Sequence, residues 1–459
     1  MKNTLMFLRS KPLALLTAAL LLLSGCGGGG DNTPATTPTT PGTPGTSTPT
    51  TPTPSTPATP TPTTPTSPTP TTPSSPTSTT PTTPTPPVEV VPPVVPPVVP
   101  PVVEITGPGE LRSATQVSTL SARDITAAVH APDSKLSAAV PLYAVTSYRI
   151  TYVTKDGQGR DIVASGLVSV PVKAGGARSP VISYQHGSTF KDAEAPSNNV
   201  VAGEPPLVMA SLGYIVVAAD YVGYGASKGT QHPYLLSAPS ASAVVDLLTA
   251  ARTWRSRNSV VDNGQLFLVG YSEGGYVTLA AHRAMQAGNS SHLAQLVASV
   301  PGAGPYHLGV TLDALIDRVR DENPLIGGLL SPGLLSHLGS SVRNEVRRLL
   351  MRALVPDDAD VSFQTTFVDN YLADDNAAIE RDSNVHDWTP VRPVSLYHGR
   401  DDQTVPYTAA TRTQQTMLAR GATSVTLTSC PAVPASHLGC VAPYFAFLLG
   451  QLSGLARDL

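Results

Sequence analysis

The run Phe267 to His282, FLVGYSEGGYVTLAAH, sets one serine, Ser272, between Gly270 and Gly274, directly after an apolar stretch. A serine hydroxyl is a weak nucleophile at neutral pH until a base takes its proton, and its attack creates a negative charge that needs donors. On a sharp strand-to-helix turn the hydroxyl is exposed and only small residues fit at minus two and plus two. The NH of the next residue, Glu273, then lies at a helix N-terminus, where it can donate to an oxyanion. The competing reading is a glycine-flanked serine that merely caps a helix. What separates the two is whether the chain also holds a base and an acid for that serine.

Two later stretches offer them. His437, in PASHLGC, is the only histidine after residue 400 and follows the last expected strand; its plain alternative is an exposed loop histidine. The stretch HGRDDQTVP follows the apolar VSLY and places Asp401 and Asp402 at the C-terminal end of a strand. Sheets of parallel strands assemble their sites at that edge, and an acid there can orient an imidazole and stabilise its charged form.

The elements around these residues alternate. YRITYVTK and DIVASGLVSV are β-rich and flank the turn DGQG, which predicts an antiparallel hairpin. PVISYQHGS, GYIVVAADYVGYG, QLFLVG, LVASVPGAG, RPVSLYHG and TSVTLTSC read as strands. Between them SAPSASAVVDLLTAARTWRSR has helical spacing with a serine cap at its start. Further helices are expected from the serine to about Ala287, around YTAATRTQQTMLAR, and over APYFAFLLGQL. Strands apolar throughout, alternating with helices, imply a parallel sheet covered on both faces. From about 305 to 390 helices such as LDALIDRVRDE and SSVRNEVRRLLMRAL follow without strands, an insertion over the sheet edge. Its apolar run NPLIGGLLSPGLLSHLG suits either a lid with an acyl pocket or simple packing of a helical cap.

The N-terminus is of another kind. Lys2, Arg9 and Lys11 precede an apolar run from Pro12 to Leu23. That run is shorter than the about 20 residues a membrane span needs and reads as an export signal. Leu23-Ser24-Gly25-Cys26 resembles the lipobox of bacterial lipoproteins, which implies lipidation of Cys26; Gly27 after it implies the outer membrane. From about Asn32 to Val103 the chain is almost wholly Thr, Pro and Ser, a stretch that ends in VVPPVVPPVVPPVV. It cannot bury a core and reads as an extended stalk, with a ligand for proline-binding modules as the alternative.

Beyond residue 104 the chain holds 26 basic and 29 acidic side chains, a balance that gives no sign of a nucleic-acid footprint, and no nucleic-acid partner is expected. With Cys26 assigned to the anchor, Cys430 and Cys440 remain. An even pair in an exported protein invites a disulfide, worth roughly 2.5–3 kcal/mol for a short loop. A metal pair has only His437 nearby. A loop clamped between those cysteines suits a histidine that must be held in register.

The order Ser272, Asp402, His437, with GYSEGG and HGRDDQTVP, resembles the α/β-hydrolase superfamily; YQHGS, ADYVGYGAS and HPYL resemble its secretory lipase and esterase branch. The resemblance spans roughly residues 145–455 and weakens in the helical insertion. It implies an α/β-hydrolase fold, with a mostly parallel central sheet, helices on both faces and a helical cap at about 305–390. It favours Asp402 over Asp401, because HG, two residues, D, two residues, VP matches the acid turn of that superfamily. It also implies a second oxyanion donor after the early strand. The position that matches is the NH of Ser188, with Thr189 as neighbour, although the HGGG form of many esterases is missing here. His186 is expected to hold that turn and Asp220 to fix YVGYG by hydrogen bonds. Glu273 contributes its backbone, its side chain resting near the helix N-terminus.

The division expected is a signal peptide over 1–25, a lipidated Cys26 with a stalk over 26–104, and a catalytic domain over 105–459. The activity expected is carboxylic ester hydrolysis through an acyl-enzyme, on small-molecule or lipid esters. Neither metal nor organic cofactor is required. A monomer is expected, anchored to the membrane through its lipid, in the cell envelope or outside the cell. A serine peptidase of the same fold and a non-catalytic surface module are the alternatives.

Overall fold

The computed structural model describes residues 106–132, 134–322, 335–337 and 339–459. The hairpin around DGQG is present: β2 (Val145–Lys155) pairs antiparallel with β3 (Asp161–Pro171). Asp156 closes it, Oδ1 accepting the NH groups of Gln158 and Arg160, each at 2.9 Å, while Gly159 takes φ 75°. A left-handed φ is open to glycine without steric penalty.

Among the described residues seven further strands complete one sheet of nine, in the order β1-β2-β3-β5-β4-β6-β7-β8-β9. They are β1 (Leu111–Leu120), β4 (Ser179–Gln185), β5 (Ile215–Ala219), β6 (Asp262–Tyr271), β7 (Leu296–Gly302), β8 (Val394–His398) and β9 (Val425–Ser429). The first four in spatial order run antiparallel, and from β5 to β9 every neighbouring pair is parallel. β1 has no counterpart in the sequence reading. Its side chains are nearly all exposed, so it carries no alternation to see, and register shifts at Leu111/Ser113 and Gln116/Ser118 break it. Such irregularities on an edge strand discourage pairing with another chain.

Helices cover both faces. On one side α3 (Ser237–Arg257) and α4 (Glu273–Ala287) bury Leu247, Leu248, Tyr276 and Leu279 against Ile150, Val217, Leu268 and Leu396. On the other, α1 (Ala122–Val129), α2 (Pro205–Ser211) and the last helix, α11 (Val441–Ser453), bury Ile125, Leu207, Leu448 and Leu452 against Ile182, Val216, Phe267 and Val300. Within β6, Phe267 and Leu268 face opposite layers, which is why the central strands read as continuous apolar runs. Each such side chain contributes about 1.5–3 kcal/mol. The start of α3 differs from expectation. Its N-cap is Leu236 and no side chain caps it, because Ser237 lies inside the helix, where its hydroxyl accepts from Arg283 at 3.0 Å.

The short helix α5 (Ser291–Gln295) leads into β7. Between β7 and β8 come α6 (Leu308–Glu322), α7 (Ser340–Leu354), α8 (Thr366–Leu372) and α9 (Asn376–Asp382); α10 (Tyr407–Ala419) follows β8. Most of NPLIGGLLSPGLLSHLG lies outside the described residues, as do the signal, Cys26 and the stalk. No helix among the described residues is long and apolar enough to cross a membrane.

Candidate active site

β6 ends at Tyr271 and α4 begins at Glu273, so Ser272 alone makes the turn, with φ 60° and ψ −125°. A non-glycine residue in such a conformation costs on the order of 1–3 kcal/mol and persists only where its surroundings enforce it. Three glycines show that enforcement. A Cβ on Gly270 would lie 2.4 Å from the Gly274 carbonyl oxygen, one on Gly274 2.0 Å from that of Gln185, and one on Gly275 2.3 Å from that of Gly302. The Ser272 NH donates to Gly302 O at 2.9 Å and the Gly270 NH to the Tyr444 hydroxyl at 3.0 Å. The turn is thus wedged between the ends of β4 and β7, the strands on either side of β6.

His437 reaches this turn from 165 residues away: its Nε2 lies 2.9 Å from Ser272 Oγ. Its Nδ1 lies 2.6 Å from Asp402 Oδ2. A carboxylate only accepts, so Nδ1 carries the proton, Nε2 is left with a lone pair, and the serine hydroxyl donates to it. Asp402 Oδ1 accepts from the NH groups of Thr404 at 2.8 Å and Val405 at 2.9 Å. His398 Nε2 donates to Val405 O at 2.9 Å and lies 3.3 Å from Asp402 Oδ2. Burial alone raises the Asp402 carboxyl, but hydrogen bonds and charge from His398 and His437 outweigh it and hold the group well below the usual carboxylate range. Asp401 does something else. Its Oδ2 accepts from the Ala435 NH at 2.8 Å, on the loop that carries His437.

That loop is fastened at several points. Cys430, just after β9, and Cys440, at the start of α11, form a disulfide around it. The Tyr271 hydroxyl donates to His437 O at 2.7 Å. At Gly399 a Cβ would come within 2.2 Å of Ala435 O and 2.9 Å of Cys440 Sγ, so the end of β8 packs directly on the loop.

The two residues expected to donate to an oxyanion both lie close to the serine along the chain or across the turn. Glu273 opens α4, where its NH has no acceptor within the helix. A Cβ on Gly187 would lie 3.8 Å from Ser272 Cβ, which brings the chain entering Ser188 alongside the nucleophile. Among the described residues the Ser188 NH has no protein acceptor, and its Oγ lies 3.0 Å from the Tyr234 hydroxyl. A hydroxyl with a base at 2.9 Å has the arrangement needed to add to a carbonyl carbon. No group of His, Cys, Asp or Glu able to hold a metal occurs among the described residues.

Comparison with known proteins agrees with the architecture. A putative hydrolase from Legionella pneumophila superposes with a TM-score of 0.59 at 23% identity, over 75% of this chain and 97% of its own. The rice cell wall degrading esterase LipA from Xanthomonas oryzae does so with a TM-score of 0.58 at 24% identity, over 77% of this chain and all of its own. The fold is that of the α/β-hydrolases. The model of the prolyl oligopeptidase family matches residues 204–290. Among curated proteins no sequence matches.

Within this α/β-hydrolase fold the supporting residues divide into those foreseen and those not. Asp220 does not bond the YVGYG turn directly as expected: Oδ1 accepts from the Ser197 NH at 2.7 Å and Oδ2 from the hydroxyls of Ser197 and Ser165, each at 2.6 Å, while the Gly225 NH of that turn donates to Asp192 Oδ1 at 2.6 Å. Burial nevertheless raises its pKa above the usual value. His186 holds its turn through Nδ1 on Gly187 O at 2.8 Å and stacks on Tyr221 at 4.1 Å; burial lowers its pKa. The Glu273 side chain has a partner that the sequence does not indicate. It is 2% exposed, with Oε1 2.8 Å from His232 Nε2. In the sequence His232 and Tyr234 stand out only as part of HPYL, with no task attached. The signal was there in a histidine beside a proline, but no local pattern points to a partner 41 residues away.

Proposed function

We propose that the protein is a carboxylic ester hydrolase that works through an acyl-enzyme. His437 takes the Ser272 proton, Ser272 Oγ attacks the ester carbonyl, and the NH groups of Glu273 and Ser188 stabilise the tetrahedral oxyanion. The alcohol leaves with the proton from His437, and a water repeats the sequence on the acyl-enzyme, returning the acid and the free serine. Asp402 keeps the imidazole in the tautomer that accepts from the serine and stabilises it once protonated. The observation that carries this reading is the imidazole of His437 held at 2.6 Å from Asp402 and 2.9 Å from a serine in a strained turn.

A peptidase reading has one observation in its favour, the prolyl oligopeptidase match over 204–290, which includes Ser272 but ends before Asp402 and His437. The structural relative LipA is described as an esterase, and that favours ester over amide. The test has two parts. Ser272→Ala should lose turnover and covalent labelling by a fluorophosphonate while keeping the parental melting curve; retention of parental turnover refutes the serine mechanism. Rates on p-nitrophenyl acyl esters should then exceed those on peptide p-nitroanilides, and the reverse order selects the peptidase.

For location, we infer lipidation at Cys26, with 26–104 as a stalk that holds the enzyme away from the outer membrane. Cys26→Ser should move activity from the membrane fraction to the soluble one; unchanged partition would remove the anchor from the account.

A further inference from the structure

The two amides proposed to face the oxyanion sit on different elements, Glu273 at the start of α4 and Ser188 in the loop after β4. Hydrogen bonds weaken steeply with misalignment, so the pair works only if something fixes one amide relative to the other. Resting on the function proposed above, we propose that His232-Pro233-Tyr234 is that device: a positioning segment that grips both sides of the oxyanion site at once.

The grip on the first side is the His232–Glu273 contact at 2.8 Å, with each side chain 2% exposed. His232 Nδ1 lies 2.9 Å from Val222 O, and a carbonyl only accepts, so Nδ1 carries a proton. The Nε2–Glu273 contact therefore holds one further proton, on the ring or on the carboxyl, and both side chains are locked. The grip on the second side is Tyr234, whose hydroxyl meets Ser188 Oγ at 3.0 Å. Two more hydroxyls hold the flanking carbonyls of the same loop, Tyr221 on His186 O at 3.0 Å and Tyr224 on Thr189 O at 2.6 Å.

The segment is itself pinned. The His232 NH donates to Ser362 O at 2.7 Å and His232 O accepts from the Gln364 NH at 2.9 Å. The Phe363 ring between them packs 5.4 Å from His232 and 5.6 Å from Tyr234. The stretch between α7 and α8 thus reaches the oxyanion site through three residues. A buried acid–imidazole pair is weak support for stability, since apolar residues of the same volume usually do as well. Directly beside the nucleophile, what it adds is a fixed direction for the Glu273 amide.

Steady-state kinetics of the full chain on a p-nitrophenyl ester test this. Tyr234→Phe removes one oxygen and should lower kcat about tenfold with KM within about twofold, because misaligning a donor costs less than the 10²–10³ of deleting one. His232→Ala and Glu273→Ala should each lower kcat about 30-fold or more. Glu273→Gln should recover about tenfold over Glu273→Ala, since its amide N–H can donate to Nε2 of a neutral His232. Ser188→Ala keeps the backbone NH, and combined with Tyr234→Phe it should lose no more than either change alone. Tyr234→Phe with kcat within twofold of the parent, or with its loss in KM alone, overturns the proposal, as does a Gln variant no better than Ala at 273. If His232→Ala does not fold, the Tyr234 and Glu273 variants still decide. Ser272→Ala separates the two levels: if it is inactive and Tyr234→Phe is normal, only the positioning role falls, whereas an active Ser272→Ala removes the mechanism beneath it.

Discussion

Asp401 and Ala435 are joined by a reciprocal pair of hydrogen bonds, Ala435 NH to Asp401 Oδ2 at 2.8 Å and Asp401 NH to Ala435 O at 3.2 Å. Two adjacent carboxylates therefore divide one task, Asp401 fixing the loop and Asp402 the imidazole that the loop carries. Asp402→Asn should lower kcat by about 10⁴ with the fold intact, because the wrong imidazole tautomer then faces the serine. Asp401→Asn leaves that tautomer alone and should cost far less in kcat. Measuring both variants against one ester decides, and equal losses would contradict the division.

Strain at Ser272 gives a second expectation. Its φ of 60° suits glycine better than any residue with a Cβ. Ser272→Gly and Ser272→Ala both lose the hydroxyl, so their difference isolates the backbone. The glycine variant should be the more stable by about 1 kcal/mol, and both should be inactive. An alanine variant that melts higher than the glycine variant contradicts stored strain.

The disulfide between Cys430 and Cys440 encloses His437. Replacing both cysteines by alanine should lower stability by about 2.5–3 kcal/mol and reduce kcat, since the freed loop carries the base. Thermal melts and kinetics with and without reductant read this out. A variant with parental melting and parental kcat would show that Asp401, Tyr271 and the packing at Gly399 suffice to hold the loop.

Asp246 makes stability depend on pH in the unusual direction for a carboxylate. Burial pushes it up to about 6, against the hydrogen bond from Thr154. The native state therefore keeps this proton where the unfolded chain, at about 3.9, has lost it. By linkage this group destabilises the native state progressively as pH rises from about 4 to about 6, and fully above that. Asp246→Asn keeps an acceptor for Thr154, whose hydroxyl is 2.7 Å away, and removes the charge. Its unfolding free energy should exceed the parental value at pH 7.5 by on the order of 1 kcal/mol, read as a higher melting temperature, with the gain vanishing toward pH 4. A gain equal at both pH values would mean that ionisation is not the cause.

Much of the site was legible because its constraints are local. The glycines around Ser272 answer to backbone atoms crowding a tight turn, and continuous apolar strands announce a sheet covered on both sides. His437 stood out as the sole histidine in its part of the chain. Choosing Asp402 over Asp401 needed the likeness of HGRDDQTVP to other chains, since both acids have the same chemistry and only the path of the loop turns one toward the imidazole.

The central strands and main helices from β2 onward, the nucleophile's turn and the short list of partners for it were legible in the chain alone, because steric fit and burial leave a periodic or compositional trace in neighbouring residues. Tertiary structure alone decided the polar pairings: Glu273 with His232, Ser188 with Tyr234, Asp401 with Ala435. It also placed β1, an exposed strand without alternation. Hydrophobic patterning reports which face of an element is buried, whereas a buried polar group is satisfied by whichever donor or acceptor the packing of distant segments brings within about 3 Å, and no local pattern records that.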